Sequence, residues 1–126
     1  MTNRAATTSM SATVEAIGEE IARARQHFQV TRAQMADVLN TEVHVDYVLI
    51  NNMLIAQARH EIWTKVAELG QEQGGDLTAA LHEVRAKTLR RVLTGQDVAS
   101  GLANELARVR DQAGRDFLRN TERFLT

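Results

Sequence analysis

Four histidines and sixteen carboxylates are the side chains of this sequence best suited to chemistry, and their spacing decides what they can do together. His60-Glu61 and His82-Glu83 are adjacent pairs. Successive residues of a helix point about 100° apart, so neither pair sets its imidazole and carboxylate on one face. A ferritin-like di-metal site needs Glu from two helices and Glu-x-x-His from two more, and Glu-x-x-His does not occur in this sequence. With no cysteine, thiolate metal sites and disulfides are also out of reach. Nucleophile elbows, phosphate-cradling glycine loops and paired acids in an apolar setting are absent as motifs. Gly74-Gly75 precedes a helical segment, where a plain turn is expected rather than an anion site. The chemistry-bearing residues therefore predict no catalysis, no metal and no cofactor.

Charge points the same way. Fifteen basic against sixteen acidic residues leave a net charge of −1, so no global field draws the chain toward nucleic acid or an anionic membrane. One basic cluster, Arg85, Lys87, Arg90 and Arg91, falls within seven residues and reads as a solvated helix face.

The elements that would carry these residues are helical. Proline is absent, aromatics are 4% of the chain, and Ala, Leu, Arg, Glu and Gln are abundant; such straight-chain residues lose little rotamer freedom in a helix. The expectation is an all-α fold of about five helices, a short helix-turn-helix-like unit followed by long helices that form a bundle or a coiled-coil-like oligomer. Residues 1–10 are small and polar and read as a flexible terminus, and 11–126 as a single helical domain, divided into a unit over 11–40 and a long-helix region over 43–125.

A first helix is expected from Ser11 to Phe28, with Val14, Ile17, Ile21, Ala24 and Phe28 three and four residues apart. Thr31 followed by Gln34 fits a capping box, which predicts a second, short helix over Arg32–Leu39. Val43–Leu69 reads as a third helix. Its seam of Val45, Val48, Ile55, Ile62, Val66 and Leu69 is interrupted by Asn52 and Arg59, where a buried Asn would fix register and a solvent-facing Asn52 would do nothing. Glycines from Gly70 to Gly75 and Asp76 mark a break. A fourth helix then uses Leu77, Leu81, Val84, Thr88 and Val92. A last helix from Val98 to Leu125 uses Val109, Ala113, Phe117 and Phe124, its polar face neutralised by acid–arginine pairs a turn apart.

Within 14–40, the helix ending in Ile21-x-x-x-Arg25, the turn at Thr31 and the following Met35-Ala36 and Leu39-Asn40 resemble the lambda-repressor-like helix-turn-helix family. The resemblance covers about a fifth of the chain. It implies a small transcriptional regulator binding double-stranded DNA, with Arg23, Arg25 and Arg32 on phosphates and His44, Asn51 and Asn52 on bases. Where that family carries its recognition helix, this chain reads TEVHVDYVLINN, with Glu42 and Asp46 and no Arg or Lys. Acids there oppose the phosphate charge. Leu81-His82-Glu83-Val84-Arg85 resembles the phosphoacceptor box of histidine-kinase and phosphotransfer helices. No nucleotide-binding segment accompanies it, and a solvent-facing His82 is the expectation.

Two helices of about 40 Å offer more apolar stripe than 126 residues readily bury, which predicts self-association. Ile55, Ile62, Val66 and Leu69, with Val109, Ala113 and Phe117, are the expected seams. The main reading is a homo-oligomeric DNA-binding regulator. The alternative is a structural or assembly subunit, such as a filament or secretion-apparatus component or a helical chaperone, that binds no nucleic acid. No bilayer-length apolar run or secretory signal is evident, so a cytoplasmic location is expected.

Overall fold

The computed structural model describes residues 2–41, 47–94 and 102–125, with side-chain environments defined over 13–41, 48–93 and 107–125. Among these residues four helices follow one another: α1 (Thr2–Thr41), α2 (Tyr47–Glu72), α3 (Leu77–Thr94) and α4 (Leu102–Thr121), the last ending in a 3-10 turn over Glu122–Phe124. Among the described residues there is no strand. None of the helices is long and apolar enough to cross a membrane.

The main departure from the sequence expectation is at Phe28–Thr31, where α1 runs on without a turn and, among the described residues, four helices stand in place of about five. Val14, Ile17, Ile21, Ala24, Phe28, Thr31, Met35 and Val38 alternate steps of three and four, and all eight are buried or half-buried along one edge of α1. That seven-residue pattern extends straight through the supposed break. Thr31 is only 3% exposed. Its hydroxyl donates to the His27 carbonyl one turn back at 2.7 Å, the mid-helix bond of a threonine rather than the cap that accepts from the amide three residues on. No glycine or proline lies between Gly18 and Thr41 to stop the helix. α1 also begins at Thr2, ahead of Ser11.

α2 is the central helix and packs against the other three. Its Ala56, Ala58, Ile62, Trp63 and Val66 are buried and Met53, Leu54 and Leu69 half-buried, so apolar residues occupy most of its circumference, as a helix covered on several sides requires. Phe28 of α1 stacks on His60 of α2, with ring centroids 4.9 Å apart and planes 17° apart. On another side Trp63 meets Phe117 of α4 edge to face at 5.1 Å.

The reversal between α2 and α3 is specified by glycine and aspartate together. The Gly75 amide donates to Gly70 O at 2.7 Å and the Gly74 amide to Gln71 O at 3.3 Å, the paired bonds of a Schellman end, with Gly74 at φ 71° in the left-handed position. Asp76 then caps α3 by accepting from the Ala79 amide at 3.0 Å. Gly70 itself lies inside α2, where Leu77 rests on it: a Cβ there would stand 2.5 Å from Leu77 Cδ2. α4 returns antiparallel to α3. Gly114 lets it approach so closely that a Cβ would meet Thr88 Cγ2 and Arg91 Nη2 at 3.2 Å.

Candidate functional site

Three places bring functional side chains together. The first is Glu20, whose carboxylate is largely shielded and receives Arg23 at 2.7 Å, Arg123 at 3.1 Å and Arg59 at 3.5 Å. These arginines come from α1, the C-terminal 3-10 turn and α2 respectively, so one carboxylate ties three parts of the chain. Arg123 also stacks on the Phe124 ring at 4.6 Å. With three guanidinium groups already on it, Glu20 is a structural clamp.

The second is a cleft of about 350 Å³ between α2 and α3, at the small end of ligand-sized volumes. Its floor is Ile62, Leu69 and Val84, and its rim carries Lys65, Lys87 and Arg91 against Glu68 and Glu72. Lys87 is held by Glu83 one turn back at 3.5 Å. With both signs of charge on the rim, the cleft selects neither an anion nor a cation.

The third is the outer face of α3. Ala79, His82, Ala86, Leu89 and Leu93 alternate steps of three and four and are all exposed, Leu89 to 47% and Leu93 to 75%. Opposite them, Leu77, Leu81, Val84, Thr88 and Val92 make the inward stripe expected from the sequence. α3 therefore has two apolar stripes, one of them open. The expected solvated cluster also divides: Arg85 is half-buried and donates to the Leu118 carbonyl at 2.7 Å and to the Thr121 hydroxyl. There it satisfies the C-terminal end of α4, where orphan carbonyls and the helix dipole favour a cation.

The residues expected to self-associate are used within the chain. Ile62, Val66, Val109, Ala113 and Phe117 are buried in the core, and Ile55 and Leu69 are half-buried against it. The stripes of α2 and α4 close on each other, because the two helices lie side by side in one molecule. Of the residues expected at DNA, Arg23 is paired with Glu20 and, at 3.9 Å, with Glu19. Arg25 and Arg32 are exposed on α1, Asn52 is exposed and Asn51 half-buried on α2, and His44 lies outside the described residues. His82 faces solvent, and Asn52 takes no place in a buried seam.

The open face of α3 escaped the sequence reading because His82 and two alanines dilute its apolar signal; the spacing of Leu89 and Leu93 with Ala86 was the available clue. Compared with known protein families, characterised proteins and solved structures, the chain gives no match.

Proposed function

We propose that this chain is a non-catalytic helical assembly protein, which works by contact between protein surfaces and associates with its own copies. The observation that carries the reading is the set of large apolar side chains left open once the core is complete. Leu89 and Leu93 stand on the outer face of α3, and Leu39 and Val48, 62% and 59% exposed, stand near the junction of α1 and α2. Scattered exposed leucines are ordinary on protein surfaces, whereas apolar residues in register along a helix face form a seam that another helix can cover.

A DNA-binding role retains the support of Arg25 and Arg32, exposed seven residues apart on one side of α1. The continuity of α1 removes the turn at Phe28–Thr31 that would separate the motif's first two helices and fold them into the support for a recognition helix, which is why assembly is the preferred reading.

Light scattering of the purified protein, alone and with mixed duplex DNA at ~50 mM salt, separates the two, because even non-specific DNA binders associate at such low salt. The expected result is a mass above that of the 14.0 kDa chain that duplex DNA does not change. A protein of any mass that combines with duplex DNA would overturn the proposal.

A further inference from the structure

The geometry points to the outer face of α3 as the docking site for the same face of a second copy, the two α3 helices running antiparallel. This inference rests on the proposed self-association and names its surface.

Two features of α3 select the occupant. The first is shape. Ala79, Ala86 and Leu93 recur every seven residues, and His82 and Leu89 do likewise between them. In an antiparallel pair, positions of the first series face positions of the second, so Ala86 meets Leu89 of the other copy and His82 meets Leu93. Each of these layers sets a smaller side chain against a larger one, and the alanines allow the helix axes to approach toward the lower end of the usual ~8–10 Å range.

The second is charge. Glu83 and Arg90 lie one heptad apart on the same flank of the stripe. In an antiparallel pair that flank meets itself, so Glu83 of each copy falls beside Arg90 of the other, and two symmetry-related ion pairs form at once. On the other flank the same register places Arg85 beside Val92, and no like charges are opposed. A parallel pair would set Glu83 beside Thr78 and Arg90 beside Arg85 of the other copy, opposing like charges twice. The face is therefore complementary to itself in one orientation. Glu83 now accepts from Gln73 at 3.0 Å and pairs with Lys87; both contacts are at the surface, where exchange for another ion pair costs little.

Sedimentation velocity of the full chain and of Leu89→Glu, Glu83→Arg, Arg90→Glu and the doubly reversed Glu83→Arg/Arg90→Glu tests this. Circular dichroism of each variant verifies the fold, which exposed substitutions leave intact. In the symmetric dimer each single reversal sets like charges together twice, and Leu89→Glu sets a carboxylate in the seam. The dimer is expected to weaken roughly tenfold or more in all three, and the double reversal to restore it to about threefold of wild type. Wild-type self-association that Leu89→Glu leaves unchanged would overturn this surface and leave the assembly reading standing. Single reversals that weaken the dimer without mutual rescue would overturn the antiparallel register. A wild-type chain that stays monomeric would overturn both the surface and the reading on which it rests.

Discussion

Thr31 shows how one side chain carries two structural meanings. Its hydroxyl can accept from an amide three residues ahead and begin a helix, or donate to a carbonyl four residues behind and stay within one. The structure adopts the second, with the hydroxyl satisfied by His27 O and the side chain buried. Glu20 is the corresponding case among charges, a carboxylate shielded by its neighbours and answered by three arginines. Glu20→Gln retains its shape and removes its charge, and is expected to cost about 1–2 kcal/mol, the arginines being partly exposed and able to turn to water. Urea denaturation measures this, and an unchanged midpoint would show that the clamp adds nothing. Gly74→Ala, with φ 71° at the end of α2, is expected to cost about 1 kcal/mol in the same assay, since a Cβ disfavours that conformation.

Elements were legible where one pattern dominated. The three-and-four spacing of α3, the stripe of α4 from Val109 to Phe117 and the glycine-to-aspartate reversal at 70–76 all appear where the sequence put them, because spacing, capping residue and glycine agree there. At residues 28–35 two patterns competed, a four-residue capping signature and a seven-residue seam, and the longer one prevailed because it buries Thr31 and half-buries Met35 and Phe28, the last stacked on His60 of α2. Arg32→Pro distinguishes the alternatives. At the first position of a helix proline is well tolerated, whereas inside α1 it removes a backbone bond and clashes with the preceding turn, at about 3 kcal/mol or more. Arg32 is exposed, so little else changes with it. Thermal unfolding is expected to show a large loss, and an unaltered transition would restore the break.

At the scale of the whole molecule, sequence alone could not say whether an apolar seam closes within one chain or between two. Val66 and Phe117 look the same in either case; only the placement of α2 amid three other helices assigns them to the interior. Val66→Asp would bury an unpaired carboxylate and is expected to unfold the protein, at a cost of at least about 4 kcal/mol, with loss of the helical signal in circular dichroism. A folded monomer from this variant would return Val66 to an intermolecular seam. Once these stripes are spent, the open face of α3 and the apolar residues near the α1–α2 junction remain to mediate association, and one helix face suits a small interface that exchanges readily.

Sedimentation equilibrium of the wild-type chain over about 1–200 µM reads that association directly, in the concentration range of modest protein interfaces. A mass rising from 14.0 kDa toward twice that value is the expected result. A constant monomer mass across the whole range would contradict the account.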